Sequence, residues 1–313
     1  MKAWHFSKTG EPLELVDIAA PTPGPGEVAI RVRAAGLCHS VIGLMDDEVW
    51  MKIANLPIVP GDEIAGEVTS LGEGVTAFHV GQRVVVWPRN ELFGYLRNGG
   101  FAEHVIANEG SVIPIPDGMS FEIAAAISDS GQTSHNAVVS TGMVKAGEKV
   151  GVIGVGGLGL TGAKLVKLLG AELFVAEINE EAWQLATDAG ASRVVRSILE
   201  LKDEELDVII DFAGMGVTTA EAIEAVKSEG RVVLVGMGRS EATINTHTMI
   251  MKQLKLLSVL GGVPADITAM LGYVDRGELS PQVELITFDE IPAGLDRLRN
   301  GDVRGRLVAV FGE

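Results

Sequence analysis

A run of four glycines between residues 154 and 159 carries the clearest chemical signal in the sequence. It reads Gly-Val-Gly-Gly-Leu-Gly, follows the apolar segment KVGVI that begins at Lys149, and precedes a helical pattern. Glycines at this spacing let the backbone turn tightly and approach a pyrophosphate, whose charge then lies at the N-terminus of the helix. The pattern predicts a dinucleotide site, and the residues expected to form it are Gly154, Gly156, Gly157, Leu158 and Gly159.

A dinucleotide site also requires a carboxylate near the end of its second strand, and the sequence has one there. Glu177 directly follows the apolar run LFVA and lies 23 residues after Gly154. This is near the spacing of about 20 residues at which an acid accepts from the ribose hydroxyls. A carboxylate here repels the 2′-phosphate of NADP(H), and the following Ile178 and Asn179 supply no cation. The sequence therefore predicts NAD(H) as the cofactor.

The composition narrows the classes of partner. The chain has 313 residues, of which 47% are hydrophobic, and a net charge of −17. A surface this acidic repels phosphate backbones and anionic lipids, so we expect no nucleic acid and no membrane as partner. The N-terminus shows no apolar signal-peptide core, and the single cysteine, Cys38, excludes an internal disulfide. We expect a cytoplasmic protein that acts on a small molecule.

Two hydrophobic patterns divide the chain. Short apolar or alternating segments separated by Gly and Pro, such as 27–36 and 63–72, predict an antiparallel barrel or sandwich in the first part. From Lys149 onwards, apolar strands alternate with helical segments, which predicts a parallel sheet covered on both faces. The last strands are expected to complete the first domain. The predicted domains are 1–128 with 262–313, and 129–261.

These segments, taken in order, resemble the medium-chain, zinc-type alcohol dehydrogenases over essentially the whole chain. The resemblance implies an α/β fold with a partly open, GroES-like β-barrel as catalytic domain and an inserted, doubly wound Rossmann domain. It also implies hydride transfer between a nicotinamide and an alcohol or carbonyl, and a homodimer or homotetramer formed through the edge strand 254–261. The matching segments are 26–40, 56–68, 75–84, 99–105, 151–171 and 304–311.

The zinc site that this resemblance implies is altered. In the family a cysteine, a histidine and a second cysteine hold a zinc ion that polarises the substrate oxygen. The first cysteine is present as Cys38, but the histidine position holds Asp62 and the second cysteine position holds Asp129. The position whose carboxylate usually orients the histidine holds Val41.

Two interpretations of this site stay open. In one, Cys38, Asp62 and Asp129 bind a divalent ion, with Glu63 as a possible fourth ligand. In the other there is no metal, and the grouped carboxylates Asp62 and Asp129 raise the pKa of at least one of them, so that it moves a proton. We expect zinc to be absent or weakly bound.

The resemblance assigns further positions. Ser40 matches the hydroxyl that passes a proton, His39 and Arg306 match contacts to the pyrophosphate, and Thr133 matches a contact beside the nicotinamide. The four-cysteine lobe that holds a structural zinc is replaced by the short segment RNELFGYLRN, residues 89–98. Four aromatic residues either line an apolar pocket or pack in the core: Trp50, Trp87, Phe93 and Tyr95.

The sequence thus predicts an NAD(H)-dependent oxidoreductase of alcohol-dehydrogenase type. One alternative is a zinc-independent reductase of a polarised C=C or C=N bond, because an acidic pocket suits a cationic iminium. A second alternative is a catalytically silent NAD(H)-binding protein.

Overall fold

The computed structural model describes residues 1–47 and 52–312, and these form two compact units. The first unit comprises Met1–Asp129, Ile267–Asp275 and Val283–Glu313, and the second comprises Ser130–Asp266 and Arg276–Gln282. The sequence assigned all of 262–313 to the first domain, whereas 262–266 and 276–282 belong to the second unit. Within the described residues, no helix combines the length and the apolar character that a membrane crossing requires.

The first unit begins with seven strands whose buried faces are rich in Val, Ile and Ala. In the segment 27–36 some buried residues alternate with less buried ones and others follow one another directly. Both faces of this strand are therefore partly covered. The strands are β1 Lys2–His5, β2 Glu14–Asp17, β3 Glu27–Gly36, β4 Glu63–Leu71, β5 Arg83–Val86, β6 His104–Asn108 and β7 Val112–Pro114.

The second unit contains a six-stranded sheet in which all neighbours run parallel. Its strands are β8 Lys149–Ile153, β9 Glu172–Ala176, β10 Arg193–Val195, β11 Leu206–Asp211, β12 Val226–Leu234 and β13 Lys255–Ser258. The order β10-β9-β8-β11-β12-β13 is that of a doubly wound nucleotide-binding sheet. The chain changes direction across the sheet between β8 and β11, and β13 lies at the edge, as predicted for 254–261.

Two C-terminal strands complete the sheet of the first unit. These are β14 Val283–Thr287 and β15 Arg306–Val310. The sheet has the order β14-β15-β3-β4-β5-β7, with β6 also paired to β3, and only β14 and β15 run parallel. The prediction that these strands complete the first domain agrees with this sheet.

Helices connect and cover the sheets. The Ala-rich segment 121–142, whose residue spacing is helical, forms a succession of α-helical and wider π-helical turns. The helices are His39–Asp46, Phe121–Ala126, Gln132–His135, Gly157–Leu168, Trp183–Asp188, Val217–Ala225, Thr246–Met251, Pro264–Asp275 and Ile291–Arg299, and the π-helical turns are Ile127–Gly131 and Asn136–Thr141. π-helical turns inside α-helices occur frequently at functional sites.

Candidate active site

Three predicted residues of the first unit meet at one place. Cys38 precedes the helix His39–Asp46, Asp62 precedes β4, and Asp129 lies in the π-helical turn Ile127–Gly131. Potential ligand atoms of the three side chains all lie within 4.8 Å of one another. The Cys38 thiol donates to Asp129 Oδ2 at 3.5 Å. Burial, together with the charge of Asp62, raises the pKa of this thiol well above its usual range.

Asp62 carries an unsatisfied buried oxygen. Its Oδ2 accepts a hydrogen bond from Ser40 Oγ at 3.0 Å, while its Oδ1 is buried and has no hydrogen-bond partner among residues 1–47 and 52–312. Burial and the charge of Asp129 raise the pKa of Asp62 to about 7, although Arg306 and Ser40 act in the opposite direction. Because an unpartnered buried carboxylate oxygen is costly, Asp62 requires a cation, a proton or a polar ligand.

Arg306 supplies the positive charge of the cluster. Its side chain is 4% exposed and donates from Nε to Glu63 Oε2 at 2.9 Å and from Nη2 to Glu63 Oε1. Nη2 also donates to Asp129 Oδ2 at 3.4 Å. Burial raises the pKa of Glu63, and the guanidinium opposes that rise. Glu63 therefore binds Arg306 with both oxygens. It is not part of the group of potential metal ligands, which is Cys38, Asp62 and Asp129.

The backbone at Gly36 makes room for this ion pair. Gly36 ends β3, next to Glu63 in the register of β3 and β4. A Cβ added at Gly36 would lie 1.6 Å from Glu63 Oε2. The carboxylate occupies the volume that any other residue at position 36 would fill.

The predicted dinucleotide residues form a turn in the second unit. Gly154 has a φ of +82°, and a Cβ added at Gly159 would lie 1.8 Å from Gly154 O. A Cβ at Gly156 would project into open space, so the backbone is accessible there. The helix then begins at Gly157. This glycine turn fits the close approach of a pyrophosphate.

Glu177 lies against the same turn. Its Oε2 accepts from the backbone N–H of Val155 at 2.9 Å, and its Oε1 accepts from Asn179 N–H at 2.8 Å. These bonds fix the carboxylate at the end of β9, beside the glycine turn. The structure thus brings Glu177 and the glycine turn together, as the sequence predicted.

The remaining predicted residues lie in both units. His39 is exposed and begins its helix in the first unit. Thr133 is 6% exposed in the helix Gln132–His135 of the second unit. The next residue, Ser134, donates to Leu158 O at 2.8 Å and so ties that helix to the glycine turn. The cofactor contacts assigned to His39, Thr133 and Arg306 stay predictions.

Two family models match the chain. The model described as Alcohol dehydrogenase GroES-like domain matches residues 24–117, and the model described as Zinc-binding dehydrogenase matches residues 157–276. The L-threonine 3-dehydrogenase of Rhizobium etli strain CIAT 652 is 31% identical, with 98% of both chains covered. The chain belongs to the medium-chain, zinc-type alcohol dehydrogenase family. The predicted fold, a GroES-like domain with an inserted Rossmann domain, is confirmed, and so is the oxidoreductase class.

Other members of the family are similarly related. An alcohol dehydrogenase of Geobacillus stearothermophilus is 29% identical over 98% of this chain and 99% of its own. The acetophenone reductase of Geotrichum candidum NBRC 4597, solved in complex with NAD, has a TM-score of 0.92 at 28% identity, covering 99% of this chain and 96% of its own. The alcohol dehydrogenase of Aeropyrum pernix also has a TM-score of 0.92, at 27% identity, covering 99% of this chain and all of its own.

The donor set at Cys38 does not fit the zinc of this family. It offers one sulfur and two carboxylates, with no imidazole, whereas catalytic zinc sites are built largely from nitrogen and sulfur ligands. The Arg306 guanidinium lies 3.4 Å from Asp129 Oδ2 and repels a second cation at that oxygen. The orphaned Oδ1 of Asp62 is therefore better matched by a proton or a substrate group than by zinc.

Hydrogen bonds and ion pairs of Arg97 hold the segment 89–98, where the sequence lacks the four-cysteine lobe. Arg97 donates to Glu27 Oε1 at 2.7 Å, to Glu91, and to Ile106 O at 2.8 Å. Glu91 also accepts from Asn108 N–H at 2.8 Å. One guanidinium thus joins the segment to β3 and β6. No local pattern in the sequence indicates Arg97, because its partners lie up to 70 residues away.

The same segment reaches the active site through Tyr95. The Tyr95 hydroxyl donates to the backbone carbonyl of Ser40 at 3.0 Å, and the ring is 8% exposed. Phe93 is 1% exposed and packs in the core, whereas Trp50 lies outside the described residues. Of the two predicted roles for the aromatic residues, packing holds for Phe93 and Tyr95.

Proposed function

We propose that this chain is an NAD(H)-dependent oxidoreductase that interconverts an alcohol and a carbonyl without a tightly held zinc ion. The observation that carries the proposal is Asp62. Its carboxyl group lies at the family's zinc-binding histidine position and accepts from Ser40, and one of its oxygens is buried with no partner in the described part of the chain. A carboxyl group in that state acts as a proton donor and acceptor.

The cofactor assignment rests on the glycine turn and on Glu177. NAD(H), when bound, supplies or accepts the hydride. The glycine turn leaves open space beside Gly156 for a pyrophosphate, and Glu177 is fixed beside it to accept from the ribose hydroxyls. The acetophenone reductase with a TM-score of 0.92 binds NAD.

Side chains of the protein itself transfer the proton that the reaction requires. In carbonyl reduction the substrate oxygen must gain a proton, and Ser40 Oγ can donate one while it is replenished from Asp62 at 3.0 Å. The charge of Asp129 favours the protonated form of Asp62. Arg306 balances the charge of Glu63 and contacts Asp129, so that Asp62 is the group that takes up and releases the proton.

Metal analysis combined with chelation tests this proposal. Protein purified without added metal should contain well under one zinc per chain, and NADH-dependent carbonyl reduction should survive chelation. In the same assay Asp62→Asn should lower the rate by about 100-fold, the lower end of general acid–base contributions. Asp117→Asn, at an exposed position of the same unit, serves as the control and should leave the rate unchanged.

Stoichiometric zinc would contradict the proposal if it is lost together with activity on chelation and both return with added zinc. Cys38, Asp62 and Asp129 would then be its ligands.

A second candidate is reduction of a polarised C=N or C=C bond. Three carboxyl groups stand against one guanidinium in this cluster: Glu63 and Asp129 bond to Arg306, and Asp62 lies near Asp129. An acidic site of this kind stabilises a cationic iminium. A substrate panel that contains cyclic imines as well as ketones decides between the two. Tight NADH binding without turnover of any substrate would favour the silent NAD(H)-binding alternative.

A further inference from the structure

A fully buried carboxyl group ends β11 in the second unit. Asp211 is 0% exposed. Its Oδ1 accepts from the N–H groups of Ala213 at 3.1 Å and Gly214 at 2.9 Å, and its Oδ2 accepts from the hydroxyls of Thr218 and Thr219, both at 2.8 Å. One side chain therefore fixes the segment 212–216 and the first turn of the helix Val217–Ala225.

The backbone of Asp211 extends the same network to β12. The N–H groups of Val235 and Gly236 both donate to Asp211 O at 3.0 Å. Gly214 has a φ of +59°, and a Cβ added there would lie 1.8 Å from Gly236 O. The segment after β11 and the segment after β12 are thus in close backbone contact, and Asp211 lies where they meet.

The segment 212–216 lies directly against the glycine turn. Phe212 N–H donates to Ile153 O at 3.0 Å. A Cβ added at Gly154 would lie 3.4 Å from Ala213 Cβ, and a Cβ added at Gly162 would lie 2.6 Å from the Phe212 ring. Any shift of 212–216 must therefore displace the glycine turn or lose contact with it.

The contact between the segment 212–216 and the glycine turn lies at the end of the sheet where ligands bind. In open parallel sheets, ligands bind outside the carboxyl ends of the strands, where the strand order reverses. Here that point lies between β8 and β11. The glycine turn follows β8 and the segment 212–216 follows β11, so these two segments form the facing walls of the crevice.

We propose that Asp211 is a positioning residue for the dinucleotide, because it holds the wall 212–216 in the arrangement that accepts the cofactor. This inference rests on the proposed function, since it needs NAD(H) to bind at the glycine turn. A carboxylate accepts all four hydrogen bonds, whereas an amide of the same shape replaces one acceptor by a donor. With an amide at position 211, the segment 212–216 therefore loses its arrangement, while β11 remains buried.

The test compares Asp211→Asn with Asp207→Asn. Asp207 lies in the same strand, where it accepts from Lys149 N–H at 2.8 Å and pairs with Lys227, away from the crevice end. NADH binding is measured by fluorescence titration on the intact protein, together with KM for NADH, kcat and the thermal midpoint. For Asp211→Asn we expect Kd and KM for NADH to rise at least tenfold, with kcat at saturating NADH within threefold of wild type.

Asp207→Asn should lower the thermal midpoint but leave the Kd for NADH within twofold. Folded Asp211→Asn that binds NADH like wild type overturns the inference. If Asp211→Asn does not fold, the milder pair Thr218→Val and Thr219→Val decides it in the same way, with an expected threefold rise in Kd. Wild-type protein that fails to bind NADH overturns the proposed function, and the inference with it.

Discussion

We predict that the Glu177 carboxylate determines which of two dinucleotides, NADH or NADPH, the chain accepts. It is fixed by Val155 and Asn179 N–H groups, so it cannot swing away from an added 2′-phosphate without breaking both bonds. Charge-assisted hydrogen bonds contribute about 1.5–3 kcal/mol each. We expect NADH to bind at least tenfold more tightly than NADPH in a fluorescence titration, and Glu177→Gln to reduce this preference. Equal affinity of the wild type for both would contradict the role of Glu177.

The Asp62 carboxyl group links stability to pH. Its pKa is about 7 in the folded protein and about 3.9 in an unfolded chain. Between these values the folded state holds a proton that the unfolded state has lost, so the free energy of unfolding falls as the pH rises from about 4 to about 7. The slope is at most about 1.4 kcal/mol per pH unit for one group.

Urea unfolding of chelator-treated protein checks this linkage. The wild type should lose stability between pH 5 and pH 7 relative to Asp62→Asn, whose side chain does not titrate. The two curves should run parallel above pH 8. Parallel curves over the whole range would mean that Asp62 is ionised throughout.

At the scale of elements, Arg97 cross-links the segment 89–98 to β3 and β6. Its side chain is 26% exposed, and that of its partner Glu91 is 7% exposed, so the ion pair is largely shielded from solvent. Arg97→Gln should lower the free energy of unfolding by about 1–3 kcal/mol, since it leaves buried acceptors unpaired. Differential scanning calorimetry and limited proteolysis within 89–98 measure the effect.

Arg193→Gln is the matched control for Arg97. Arg193 pairs with Glu204 at 3.1 Å, but its side chain is 49% exposed, and exposed pairs contribute about 0–1 kcal/mol. Equal effects of the two substitutions would show that Arg97 is not a cross-link.

The elements themselves were predictable, because they depend on local pattern. The segment 27–36 forms β3 over those same residues, and the glycine turn follows an apolar strand as expected. The contacts of the active site were not predictable to the same degree. Arg306 and Glu63 are 243 residues apart, and Tyr95 and Ser40 are 55 apart. No periodicity in one sequence encodes such pairs. The two altered zinc positions, Asp62 and Asp129, were found only because the family pattern names them.

At the scale of the whole molecule, we predict that the chain assembles through β13. It is an edge strand, and Leu256 and Leu260 in and after it are 38% and 65% exposed. A long apolar edge favours pairing with another chain, and two-fold pairing with a second copy satisfies both edges. We predict a dimer or a dimer of dimers by light scattering at micromolar concentration. Leu256→Lys should shift it towards monomer, and a monomeric wild type would refute the prediction.

The π-helical turn Ile127–Gly131 makes the active site sensitive to chain length. Such a turn spaces its hydrogen bonds five residues apart instead of four, so the loss of one residue between Ala126 and Asp129 would favour an ordinary α-helical turn. Each residue advances an α-helix by about 100°. Asp129 would then change its azimuth relative to Phe121–Ala126 and turn away from Cys38 and Arg306. A single-codon deletion there would move the Asp129 carboxylate out of the site, although Asp129 itself and all other site residues would still be present in the sequence.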